Sequence, residues 1–164
     1  MKIINPDKYL LLNDHPDSYK WDPRRERIAW EKSYGVLGSI LGKFYAKQIP
    51  SRMLITVGVS SSGKSTLIED NLDRLEDEMG YDIIFDARFP NRISRSAVIW
   101  IASGLECSVS AVWVNTPLEE CVERNRLRSD RSFPEHKLRE AHKNIQPPSS
   151  SEGFERILTK ECFY

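Results

Sequence analysis

Short apolar runs alternate along the chain with longer segments in which apolar residues recur at helical spacing, a pattern that packs helices against a mostly parallel sheet. Five runs read as strands: residues 3–4, 53–57, 83–86, 109–115 and, with a weaker pattern, 156–159. The central three are the expected buried ones. Between the first two, Asp22-Pro23 opens a helix. Ile28, Trp30, Tyr34, Leu37, Leu41 and Phe44 carry its period toward Gln48, and Ile49-Pro50-Ser51 ends it. A second helix is predicted from inside a glycine-rich loop to Met79-Gly80, where the glycine is a natural stop. A third follows Pro90-Asn91 as far as Gly104. The fourth has Thr116 as its cap, Pro117 at its first position and Glu119-Glu120 in its first turn, where negative charge suits the helix dipole. The fifth starts at Pro134-Glu135.

No repeat is visible, and the one stretch rich in Pro and Ser, 146–151, lies too near the end to separate domains. A length of 164 residues then fits one domain. Formal charge is zero, which removes the strong basic excess of proteins that coat long nucleic acid and leaves only local polymer contacts. Cys107, Cys121 and Cys162 match no metal-ligand spacing and read as small apolar core residues in a reducing compartment. No segment approaches the roughly 20 apolar residues of a membrane span. The expectation is a cytoplasmic, intracellular protein with no membrane partner.

One motif changes the picture. Gly58-Val59-Ser60-Ser61-Ser62-Gly63-Lys64-Ser65 is a G-x-x-x-x-G-K-[ST] phosphate loop, set between the apolar strand Leu54-Ile55-Thr56-Val57 and the helical Thr66-Leu67-Ile68. The glycines let the backbone curl so that its N–H groups, including those of Ser60, Ser61, Ser62, Gly63 and Thr66, face phosphates. Lys64 neutralises the β- and γ-phosphates, and the Ser65 hydroxyl ligates Mg²⁺. ATP and Mg²⁺ are the implied ligands. A phosphate loop alone leaves kinases, NTPases and nucleotide switches open.

Two further features narrow that set. The strand at 83–86 ends in a carboxylate one helix after the loop, which places Asp86 beside Ser65 as a holder of the metal or its waters. An Asp there also serves as an ordinary turn former. Arg124-Asn125-Arg126-Leu127-Arg128 closes a helix and leads into Ser129-Asp130-Arg131-Ser132. Those guanidiniums suit a lid over a triphosphate, although arginines at a helix end also complement its dipole.

From residue 83 onward the chain resembles the P-loop kinase domain of polynucleotide 5′-kinases, the phage and animal end-healing enzymes. The resemblance is carried by Asp86-Ala87-Arg88-Phe89, by Arg92 and Arg95, by Thr116-Pro117-Leu118-Glu119-Glu120-Cys121, by Arg124-Asn125-Arg126, and by the tail from Gln146-Pro147-Pro148 to Glu152-Gly153-Phe154. In that family a strand, the motif Asn-x-Asp-x-Tyr and a long helix lie between the phosphate-loop helix and the second acidic strand. Here only residues 67–82 separate those two. The missing unit matches the N-terminus instead: Ile3-Ile4-Asn5-Pro6-Asp7-Lys8-Tyr9 and the helix after Pro23. The resemblance thus implies an α/β P-loop kinase fold, a five-stranded sheet with helices on both faces and a circularly permuted strand order. In it the N-terminal strand is outermost and the Asp86 strand lies between it and the phosphate-loop strand. Residues 1–50 form the moved acceptor unit, 51–128 the nucleotide core, 124–134 the lid, and 135–164 the last helix and strand.

By the same resemblance Asp7 is the general base that accepts the proton of a 5′-hydroxyl. Lys64 and Ser65 keep their phosphate and metal roles, Asp86 supports metal and acceptor, Arg124 and Arg126 hold the nucleotide, and Arg128 is the lid arginine. The chain departs from the family at Leu10, where the family has the arginine that holds the acceptor phosphate; Arg88, Arg92 and Arg24 are the candidates to replace it. Arg24, Arg25 and Arg27 crowd a helix start whose dipole they oppose, and Tyr19 and Trp21 are placed to stack on a terminal base. His15, His136 and His142 have no catalytic spacing. The implied activity is transfer of the γ-phosphate of ATP to 5′-hydroxyl ends of DNA or RNA in nucleic acid repair. Absence of Asp-x-Asp-Gly-Thr argues against an added phosphatase. A small-molecule kinase for a nucleoside, sugar or antibiotic, and a non-catalytic nucleotide switch, are the alternatives.

Overall fold

The computed structural model describes residues 1–10, 22–129 and 133–163. Five strands, β1 (Lys2–Ile4), β2 (Ser51–Val57), β3 (Ile83–Phe85), β4 (Cys107–Trp113) and β5 (Arg156–Thr159), form one sheet. Among them run α1 (Asp7–Leu10), α2 (Pro23–Ala46), α3 (Lys64–Glu69), α4 (Arg92–Ser103), α5 (Leu118–Leu127) and α6 (Glu135–Asn144). The strand order is β1-β3-β2-β4-β5 and all four pairings are parallel. The N-terminal strand therefore sits at the edge beside the Asp86 strand, which in turn borders the phosphate-loop strand.

Side chains alternate across a strand, and this divides the core. Ile55, Ile83, Phe85 and Ala111 face α2 and α4 through Leu37, Leu41, Val98 and Ala102. Leu54, Ile84 and Val112 point the other way, onto Leu67, Ile68 and Leu75. A smaller cluster of Val59, Cys121, Val122 and Leu138 fixes the phosphate loop to α5 and α6.

Trp30 anchors α2: its ring lies 5.8 Å from that of Phe85 and 5.3 Å from that of Phe89. One helical turn earlier, Glu26 is thereby carried past the end of β3.

The second helix departs from its expected course. It stops at Glu69, and Arg74–Glu78 forms a separate π-helical turn. Asn71 explains the break, because its side-chain amide donates to the Leu67 carbonyl at 2.9 Å and competes with the backbone for it. Thr116 is not a cap either. Pro117 stands at the N-cap of α5, and the Thr116 hydroxyl donates to the Ser62 carbonyl at 2.7 Å, tying the end of β4 to the phosphate loop. Cys107 and Cys121 are buried, as their apolar reading requires, whereas Cys162 is exposed. Among the described residues no helix is long and apolar enough to cross a membrane.

The C-terminal tail is fastened by one buried cation. Arg95 is fully buried on α4 and makes a two-bonded ion pair with Glu152, Nε at 2.7 Å and Nη2 at 2.8 Å. Its Nη1 donates to the carbonyls of Phe89 and Gln146. The Gln146-to-Phe154 segment is thus held by its contacts with α4. Burial alone would raise the Glu152 carboxyl, but bonds from Arg95 and from the Ser149 backbone N–H outweigh it, and the group titrates below its ordinary range. The unfolded chain binds that proton more readily. Stability from the pair is therefore complete above the ordinary carboxylate pKa and is lost as pH falls through the depressed one. Glu152→Gln should cost about 3 kcal/mol in urea denaturation at neutral pH, because it leaves a buried guanidinium uncompensated. The double change Arg95→Met with Glu152→Met should cost less than Glu152→Gln alone; an equal or greater loss would show that the charge pairing is not what matters.

Candidate active site

Register places the acidic centre. Ile4 pairs with Phe85 and Phe85 with Ile55, so the next row across the sheet is Asn5, Asp86, Thr56. Asp86 lies at the C-terminal ends of these parallel strands, where open α/β sheets bind ligands. Both neighbours bond it: the Asn5 amide donates to Oδ2 at 3.1 Å and the Thr56 hydroxyl to Oδ1 at 3.0 Å. Ser65 adds a donation to Oδ2 at 2.6 Å, which joins the carboxylate to the first turn of α3. Asn5 also accepts from the backbone N–H of Asp7 at 2.9 Å, so a single side chain positions both acids.

The phosphate loop has the conformation its glycines permit. Gly63 has φ +93° at the start of α3, and a Cβ on Gly58 would lie 2.8 Å from both Ser62 Oγ and the Val114 carbonyl. Lys64 is buried and its ammonium donates to the Val59 carbonyl at 2.6 Å. Burial pulls its pKa down to about 8; Asp86 and Asp7 oppose that shift and Arg88 reinforces it. Ser61 Oγ and Ser62 Oγ are buried and, among the described residues, have no hydrogen-bond partner. Unpaired hydroxyls and a desolvated ammonium in one curled loop fit a polyanionic phosphate group. Ser65 and Asp86 likewise supply hard oxygen donors in contact with each other, and a magnesium ion commonly takes one or two such protein oxygens and completes its shell with phosphate and water. The residues present fit both ligands.

Two clefts meet at this loop. One is lined by Ser61, Ser62, Gly63, Thr66, Thr116, Arg124 and Lys160, the other by Asn5, Asp7, Leu10, Glu26, Asp86, Arg88 and Phe133. Lys64, Ser65 and Arg128 line both. The first opens over the phosphate loop; Ser60 stands on the loop's other side, in the second cleft with the acids. Arg124 leans on the loop, donating to the Ser62 carbonyl at 3.3 Å while pairing with Glu120.

Other arginines lie elsewhere. Arg126 pairs with Glu135 at 2.8 Å on the exposed side of α5. Arg92 bonds the Ser151 hydroxyl at 2.6 Å. Arg24 is exposed in the first turn of α2, its backbone N–H capped by Asp22 at 2.8 Å. None of the three lines either cleft. Tyr19, Trp21, His15 and the lid stretch 130–132 lie outside the described residues. His142 faces the Thr116 carbonyl at 3.1 Å.

Thr56, Glu26, Phe133 and Lys160 stand at the site and were not singled out from the sequence. Thr56 carried a legible signal, a polar residue within an apolar strand two positions before the loop. The other three depend on contacts between distant segments.

A family model described as an AAA domain matches residues 73–148. That family is P-loop NTPase-like and includes kinase-like members. The matched stretch begins after the phosphate loop and takes in β3, α4, β4, α5 and α6. No curated protein matches the chain at a significant level. Fold and match together make this a P-loop nucleotide-binding domain of α/β type.

A phosphate group bound at Lys64 would favour its ammonium form and raise its pKa. Nucleotide affinity should therefore fall as pH rises past about 8, with net proton uptake on binding near that pH, read by titration calorimetry in buffers of different ionisation heat. Affinity flat from about pH 7 to 9 would mean that Lys64 does not carry its charge to the phosphates.

Proposed function

We propose that the protein is a polynucleotide 5′-kinase that transfers the γ-phosphate of ATP to the 5′-hydroxyl end of DNA or RNA. One observation carries the reading: Asp7, from the N-terminal unit, lines the same cleft as Lys64, Ser65 and Asp86. A nucleotide switch has no need of a second carboxylate on the far side of its phosphate loop. A phosphotransferase does, because the attacking hydroxyl must lose a proton as it meets phosphorus.

In this mechanism the Asp7 carboxylate accepts the proton of the 5′-hydroxyl. The freed oxygen forms a bond to the γ-phosphorus as the bond to the β–γ bridging oxygen breaks, and ADP leaves with that electron pair. Lys64 neutralises charge on the phosphates, and Arg128, common to both clefts, stabilises the group in transit. Ser65 and Asp86 would hold a magnesium ion, which would supply neutralisation of phosphate charge. Asn5 orients Asp7 relative to Asp86. The base, ahead of the phosphate loop in sequence yet lining the same cleft, fits a permuted version of the order in the polynucleotide kinases that the sequence resembles, where that unit follows the phosphate-loop helix.

A small-molecule kinase has one observation in its favour. Leu10 lines the acceptor cleft where that family carries a cation, which lowers the local attraction for a polymer phosphate.

Labelled γ-phosphate, supplied with Mg²⁺, should pass from ATP to short 5′-hydroxyl oligonucleotides, and Asp7→Asn should lower kcat roughly 10²–10⁴-fold with ATP affinity preserved. Label on nucleosides alone would select the small-molecule kinase. Label on neither acceptor, with ATP still bound, would select the switch.

A further inference from the structure

The acceptor cleft lacks the arginine of the related kinases, yet it does not lack a guanidinium. Arg88, two residues past Asp86, lines it together with Leu10. Its backbone carbonyl accepts from the Gly58 N–H at 3.1 Å, so its main chain is fixed to the start of the phosphate loop. Its side chain is held on two sides. Nη2 bonds the Glu26 carboxylate, and the guanidinium lies over the Phe133 ring with its carbon 5.6 Å from the centroid.

Both supports are themselves anchored. Glu26 stands one turn before Trp30, which is wedged against Phe85 and Phe89. Phe133 is clamped by Asn125, a buried side chain whose amide donates to the Phe133 carbonyl at 2.7 Å and accepts from its N–H at 2.9 Å. Among the described residues, Nη2 is the one nitrogen of Arg88 that makes a hydrogen bond. A guanidinium has five N–H donors in a planar fork. A carboxylate on one edge and a ring on one face leave the other edge open to the cleft, with its orientation already paid for.

The cleft's charges fit one kind of group. Lys64 and Arg128 serve both clefts, whereas Arg88 borders the acceptor cleft alone. A phosphodiester next to the attacked hydroxyl carries one negative charge and two free oxygens, which the open edge of a guanidinium matches with paired bonds. Arg24 and Arg92, the other candidates, lie outside the cleft. Resting on the kinase reading above, we infer that Arg88 binds the first phosphodiester of the acceptor strand, and that Glu26 and Phe133 are the positioning residues that aim it.

The test compares two acceptors on each protein: a 5′-hydroxyl oligonucleotide, and the same strand with an uncharged methylphosphonate at its first linkage. The full-length wild type should prefer the charged strand by roughly ten- to a hundredfold in kcat/KM. Arg88→Gln should bring that ratio to within about threefold of one, and Arg88→Lys, which keeps charge but loses the fork, should fall between. Glu26→Gln, isosteric and uncharged, should lower the ratio several-fold; an unchanged ratio would remove Glu26 from the subsite. Partial unfolding scales both acceptors together and leaves the ratio untouched. A wild-type ratio retained in both Arg88 variants overturns the subsite and leaves the kinase standing. Failure of the wild type to phosphorylate either strand overturns the kinase, and the subsite with it.

Discussion

A carboxylate largely buried at the end of a sheet is tolerable only when its oxygens are bonded, and Asp86 meets that condition with a donor from each direction. Asn5 approaches from β1, Thr56 from β2 and Ser65 from α3. The contacts also work in reverse. Because all three converge on one small group, the edge strand, the phosphate-loop strand and the phosphate-loop helix are held in a single registration, and a slip of one residue in β1 would turn Asn5 to the opposite face. The placement of Asp7 follows from that constraint, since the same Asn5 amide group holds its backbone.

Charge follows the same economy. The chain is neutral as a whole, but Lys64, Arg88 and Arg128 face Asp7, Asp86 and Glu26 around one cleft. Interleaved signs in a partly desolvated space keep each group from paying the full cost of burial. At Lys64 burial loosens the proton, and the carboxylates of Asp86 and Asp7 hold it back. Net charge alone says nothing of such a site, because the field that an incoming anion meets is set within a few ångströms.

Much of this was legible in the sequence because it is local. The phosphate loop, the apolar strands and the Asp22-Pro23 helix start are patterns within a few neighbouring residues, and each appears where its chemistry places it. Asp86 could be placed beside Ser65 from strand and helix order alone. The break after Glu69 was not legible, since helical spacing continues through Asn71 and only the side-chain bond to Leu67 shows why the helix stops. Nor was the division among the arginines. Arg88, Arg92, Arg124 and Arg126 look alike in sequence, and their separation into cleft, surface and tail is decided by partners such as Glu26, Ser151, Glu120 and Glu135 that lie up to dozens of residues away. Thr116 shows a third case, in which a correct sense of importance was attached to the wrong bond.

β1 is only three residues long and pairs on one side, with β3. The phosphate-loop strand, by contrast, pairs with β4 along all seven of its residues and with β3 along three. Short edge segments open at far lower free energy than the centre of a sheet. The two walls of the cleft therefore need not share a lifetime: the loop wall persists for as long as the molecule stays folded, while the wall bearing Asp7 can part and re-form many times within that span. A folded population would then always contain a fraction with an intact nucleotide pocket and no carboxylate opposite it, and substitutions in the first five residues could change the size of that fraction without touching the pocket itself.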